Sequence, residues 1–227
     1  DGWLGKNHAL YQGYLQAKGK YLLFTDADVF YNEHALSSAI HYMQKERLDH
    51  LTLIPTIKTN SFWLKSFLPL FFFSFVLYVL PWRANLDGRR KHGLGIGAFN
   101  LLTREAYERI GTHKRLALRP DEAWQLGREV KRAGLKQRLL TGLNHLQVEP
   151  FPDLASARHV LEKNTFFDLQ QRFMFFLYTL WNFFIAFLFP FVGLWLFWGS
   201  WLSIFCGLSL SLAISLYLAF KPINPFR

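Results

Sequence analysis

The chain has 227 residues, of which 51% are hydrophobic, with 26 Lys and Arg against 16 Asp and Glu for a formal net charge of +10. Its one cysteine, Cys206, excludes a disulfide framework and a cysteine-based metal site. A basic excess suits nucleic acid, anionic lipid or a phosphorylated substrate, and the lack of RNA-type aromatic and zinc motifs leaves the last two.

In chain order, Ala9, Leu10, Tyr14 and Leu15 recur at helical spacing over 5–18, and Gly19 stops the run. Tyr21-Leu22-Leu23-Phe24-Thr25 is a short apolar strand of the kind buried in a parallel sheet, and it ends in Asp26-Ala27-Asp28. A helix over 34–47 and a strand over 50–54 continue an α/β alternation. Residues 61–81 are apolar enough to span a bilayer, yet contain Lys65 and Pro69 and run into the basic stretch Arg83 to Lys91. The α/β pattern then resumes with a strand over 98–102, a helix from Arg104 to Ile110 closed by Gly111, and a helix from Glu122 to Ala133 closed by Gly134. A short amphipathic helix is expected over 153–163. From Phe173 to Phe220 there is no Asp, Glu, Lys, Arg or His, and two passes of roughly 20 apolar residues fit there as a membrane hairpin. All the acids and all but two of the basic residues precede it, so residues 1–172 carry about +8.

Two carboxylates one residue apart at the carboxyl end of a strand suit a hard divalent cation, whose remaining positions go to phosphate oxygens and water. Asp-x-Asp alone is a pattern that chance supplies, and its position at a strand end is what gives it weight. The eight histidines are scattered without paired ligand spacing, and read as structural or surface residues.

Four ordered blocks resemble family 2 glycosyltransferases: GWLGKNHAL (2–10), LLFTDADV (22–29), GIGAFNLLTREAYERIG (95–111) and LALRPDEAWQLGREVKRAG (116–134). With LEKNTF (161–166), they are similar to the membrane-bound, non-processive branch that includes hopanoid-associated and carotenoid glycosyltransferases. The resemblance implies an α/β fold of GT-A type, Rossmann-like and lacking its first strand or strands, because the chain starts without an initiator Met or signal peptide and reads as a fragment. It implies a Mn2+ or Mg2+ cofactor on Asp26 and Asp28, and a nucleotide-diphospho-sugar donor lined by Lys6 and Asn7. Gly95, Gly97 and Ala98 match the small-residue segment near acceptor and sugar. The family's catalytic base is a carboxylate before the helix ending in Ala133-Gly134, where this chain reads Asp121-Glu122-Ala123. Ala123 stands where the last acid of the pattern is expected, so Asp121 or Glu122 serves as base, and both also suit a helix N-terminus without any catalysis.

The expected organisation is a partial GT-A domain over 1–171 with an interfacial membrane segment at 61–81, two transmembrane helices over 172–221, and a tail over 222–227. Arg158, Lys163 and Arg172 before the hairpin and Lys221 and Arg227 after it place both ends in the cytosol, so the catalytic domain is expected on the cytosolic face of a bacterial inner membrane. A single crossing by 61–81 would separate Asp26 from Asp121, so that segment is expected to lie in one leaflet. The function that follows is metal-dependent, inverting sugar transfer to a membrane lipid or polyisoprenoid acceptor. Alternatives are a processive polysaccharide synthase, disfavoured by Gln171-Arg172-Phe173 in place of Q-x-x-R-W, and a non-catalytic scaffold or lipid-binding protein. Sugar, acceptor, pathway and oligomeric state are not legible in the sequence.

Overall fold

The computed structural model describes residues 2–58, 80–149, 189–196 and 199–220, with the single positions 72, 76, 177, 181 and 184; side chains at 190, 191 and 212–220 lie outside the description. The chain divides into one unit of Asp1–Lys58 with Leu80–Pro150 and a second of Thr59–Val79 with Phe151–Arg227.

The first unit runs α1 (Gly5–Gln16), β1 (Tyr21–Phe24), β2 (Val29–Tyr31), α2 (Ala35–Glu46), β3 (His50–Ile54), β4 (Thr56–Ile57), β5 (Asn100–Thr103), α3 (Arg104–Arg109), α4 (Glu122–Arg132), β6 (Gln137–Thr141) and β7 (Leu146–Val148). Short 3-10 turns lie at Pro81–Asn85 and His113–Leu116. A four-stranded sheet has the order β1-β5-β3-β6, and a three-stranded sheet the order β2-β7-β4. The expected parallel setting of β1 is corrected: in the four-stranded sheet β5 pairs antiparallel with both β1 and β3, while β3 pairs parallel with β6. Among the described residues β1 is thus a terminal strand of a mixed sheet rather than a central one.

Because successive strand residues face opposite sides, the apolar runs feed two cores. Leu51, Leu53 and Leu101 join Ala35, Ala39 and Met43 of α2 on one face. Leu22, Phe24 and Leu102 join Tyr107, Ile110, Leu126 and Val130 on the other, with Leu10 and Tyr14 of α1 packed against them. The alternation of strand and amphipathic helix therefore gives a layered α/β unit. The strand expected over 98–102 starts two residues later, because Phe99 donates its backbone N–H to the carbonyl of Ile96 at 3.0 Å and closes a turn first.

In the second unit α5 (Phe189–Leu196) packs on α6 (Trp201–Phe220), burying Cys206 and exposing Trp195, Trp201, Ile204 and Phe205. Among the described residues no helix is long and apolar enough to cross a membrane. The first expected pass falls largely outside those residues, and the second coincides with α6, whose side chains are described as far as Ser211. The 153–163 helix, nearly all of the 61–81 segment and the tail also lie outside the described residues.

Candidate active site

The site is built on a polar layer in the sheet. His50, Thr52, Asn100 and Gln137 are each at most 1% exposed, on strands β3, β5 and β6. They hold the segment 94–99 by its backbone: Thr52 Oγ1 accepts from Ile96 N at 2.9 Å and donates to Phe99 O at 2.7 Å. Asn100 donates to Ile96 O at 2.8 Å, Gln137 donates to Leu94 O, and Asn100 Oδ1 lies 3.0 Å from His50 Nε2. Buried polar groups that saturate a loop's carbonyls and amides fix its path more tightly than apolar packing does.

Helix α4 lies directly on this segment because side chains are missing on both surfaces. A Cβ on Gly95 would strike the carbonyl of Ala123, and one on Gly127 would strike the backbone of Leu94 and Gly95. Glycine here admits backbone against backbone. That contact carries the N-terminus of α4, with Glu122, over the end of β1.

There Asp26 donates its backbone N–H to Gly97 O at 3.1 Å, while a Cβ on Gly97 would sit 2.5 Å from Asp26 Oδ2. Gly97 thus leaves the space that the carboxylate occupies. From α1, the Lys6 ammonium lies 2.7 Å from Asp26 Oδ1 and 2.8 Å from Glu122 Oε1. One cation joins the strand-end acid to the helix acid. Glu122 is buried, Lys6 and Asp26 are partly open, and with Gly97, Ala123 and His113 they line a small pocket. Asp28, two residues on, is exposed and has no described partner.

Burial pulls the Lys6 pKa down, but the hydrogen bonds it donates to Asp26 and Glu122 outweigh it and hold the ammonium above its ordinary value. His113 shares a hydrogen bond of 2.7 Å between Nδ1 and Tyr107 Oη, and burial, helped by the charge of Lys6, pushes it down to about 4. The pocket wall beside the ammonium is therefore a neutral imidazole at neutral pH.

Three sequence expectations change. Asn7 is fully buried, and its amide donates to the carbonyls of Leu116 at 2.6 Å and Arg119 at 2.8 Å, clamping the loop that leads into α4. The space at Gly95 is filled by the backbone of α4, and Ala98 is buried with its carbonyl accepting from Thr25 at 3.0 Å and Tyr31 at 3.1 Å. Asp121 occupies the N-cap position of α4 but caps nothing with its side chain. Its two oxygens take a bidentate Arg119 at 2.9 Å each, and Oδ2 also takes Gln125 at 2.7 Å. Burial raises its pKa, but these donors outweigh that and leave it below its ordinary value. Of the two candidate bases, only Glu122 joins Asp26 in the pocket.

Sequence reasoning missed His113, Asn100 and Arg119. A polar Asn opening an otherwise apolar strand and an Arg two residues before an Asp were the available signals; nothing local marked His113.

Among the described residues no three His, Cys, Asp or Glu cluster as a metal site. Asp26 and Asp28 nonetheless fit a hard cation held jointly by protein and diphosphate: both are carboxylates open to solvent, and Gly97 keeps Asp26 Oδ2 clear of any side chain.

No curated protein matches the chain. Residues 2–111, which carry α1, the Asp26-Ala27-Asp28 turn, the polar layer of β3 and β5 and the glycine segment, match the family model described as Glycosyl transferase family 2, and the chain is a glycosyltransferase.

Proposed function

We propose that the chain transfers a sugar from a nucleotide-diphosphate donor to the hydroxyl of a membrane lipid or polyisoprenoid, with inversion, on the cytosolic face of a bacterial inner membrane. The observation that carries the reading is the Lys6 ammonium set between Asp26 and Glu122, at 2.7 and 2.8 Å. It puts a cation for diphosphate oxygens beside a carboxylate able to take a proton from an attacking hydroxyl. Glu122 is the base in this reading, because both oxygens of Asp121 are engaged by Arg119. A manganese or magnesium ion on Asp26 and Asp28 would supply charge compensation for the departing nucleoside diphosphate. The lipid acceptor and the membrane rest on the charge-free run from Phe173 to Phe220 and on the resemblance to the hopanoid-associated and carotenoid branch.

The test is to give membranes containing the whole protein a panel of labelled nucleotide-sugars with manganese or magnesium, and to extract lipid. Label in the lipid fraction is expected with at least one donor, with a loss of roughly a hundredfold in Asp28→Asn. Full turnover by Asp28→Asn removes the metal role, and label appearing only in water-soluble product removes the lipid acceptor.

A further inference from the structure

A second cavity, of about 250 Å³, is lined by Asp87, Arg89, Arg90, Lys131, Leu135 and Lys136. It belongs to the other end of α4: Lys131 is nine residues past Glu122, about 14 Å along the helix. Four cations and one acid line it, and the acid is already matched, since Asp87 accepts both arms of Arg138 at 2.8 and 3.1 Å.

The cations are not matched. Lys131 is 3% exposed, and its ammonium donates to the Leu86 carbonyl at 2.7 Å with no described carboxylate in ion-pair range. Lys136 Nζ likewise ends on a carbonyl, that of Glu46, at 2.7 Å. Arg89 and Arg90 are exposed, their guanidinium groups have no described hydrogen-bond or ion-pair partner, and Lys91 continues their run. A buried ammonium whose nearest counter-charge, Asp87, is out of ion-pair range and already paired with Arg138 is costly, and a cavity lined by it and by two guanidinium groups supplies planar donors for tetrahedral oxyanions. None of these residues lines the carboxylate pocket.

We propose that this cavity is a binding site for a phosphoryl anion, either free phosphate or the phosphate of a lipid headgroup, separate from the site of sugar transfer. The Arg89-Arg90 pair contributes the outer contacts and Lys131 the buried charge. The proposal does not rest on the identity of the sugar or acceptor, and its readout is binding rather than turnover.

The experiment uses the whole protein in neutral phosphatidylcholine nanodiscs and two probes. One is inorganic phosphate followed calorimetrically. The other is co-sedimentation of the nanodiscs with vesicles of phosphatidylcholine alone or with vesicles containing added phosphatidylglycerol. The surface variant Arg89→Ala/Arg90→Ala leaves the packing untouched, and Lys131→Met keeps the buried volume, with circular dichroism to check its fold. At least one probe is expected to bind the natural chain and to bind the double variant about tenfold or more weakly; phosphate alone marks a free-anion site, and anionic vesicles alone mark a headgroup site. Equal binding of both probes by natural chain and double variant, or binding of neither, overturns the proposal.

Discussion

Lys6 carries two ion pairs at once, and the three groups differ in exposure: its side chain is 50% exposed, that of Asp26 39% and that of Glu122 5%. Removing the ammonium leaves Glu122 buried beside another carboxylate. Losing one partner of a fully buried pair costs about 3–5 kcal/mol, and the half-open Lys6 side chain reduces that here to about 1–2 kcal/mol. Lys6→Met is therefore expected to lower the unfolding free energy measured in urea by that amount, and Lys6→Arg to recover most of it; an unchanged value for Lys6→Met would mean that Glu122 finds another partner. The same geometry separates the two candidate bases. Glu122→Gln keeps the shape and removes the proton acceptor, so kcat is expected to drop by about 10²–10⁴-fold. Asp121→Asn loosens a surface clamp on Arg119 and is expected to cost less than about tenfold. The reverse order of losses, read from initial rates at saturating donor, would move the base to Asp121.

At the scale of elements, the site depends on how closely α4 lies on the segment 93–99. Helix propensity alone favours Gly127→Ala by about 1 kcal/mol. Here the added Cβ meets the backbone of Leu94 and Gly95, which side-chain rotation cannot relieve. Overpacking of this kind costs about 1–3 kcal/mol, so Gly127→Ala is expected to destabilise the domain despite the propensity gain, and to reduce transfer by shifting Glu122. A gain in stability, measured by denaturant unfolding, would show that α4 can move away without loss. The helices themselves were legible in the sequence because apolar spacing marks them and a glycine follows α1, α3 and α4: α1, α2, α3 and α4 fall within two residues of the expected bounds. Strands β1, β3 and β5 were legible as apolar runs. Strands β2, β4, β6 and β7 were not, since Arg138 and Gln147 interrupt the pattern and pairing with remote strands, not local preference, makes them extended. Within the site, the residue type at Asp26 and at Glu122 was legible, but the role of Asn7 was not. Its partners lie 109 to 112 residues away, where no local signal reaches.

At the scale of the whole molecule, acid stability turns on two histidines that the fold keeps uncharged. His50 is fully buried in the polar layer and His113 is 1% exposed against Tyr107 and Phe24. Burial pushes His50 down to about 4 against the hydrogen bond that its ring gives to Asn100, and pushes His113 down to about 4 as well. In the unfolded chain both take up protons near pH 6.5. With the folded pKa depressed, the unfolded state binds more protons between pH 6.5 and pH 4, so stability is fully present above 6.5 and is lost as pH falls through that window. The size is on the order of 3 kcal/mol for each histidine, a large part of the stability of a single domain. Asp87 and Asp121 lose their hydrogen-bonded advantage only at lower pH, since their donors hold both below the ordinary carboxylate value. The two contributions thus fall in separate ranges. Denaturant midpoints taken from pH 7.5 to pH 4 are expected to fall steeply below 6.5, while histidine ring resonances of the native state show His50 and His113 still neutral at pH 5.5. A flat midpoint across that range, or a native imidazolium at pH 5.5, would place a counter-charge at these rings that the fold does not supply.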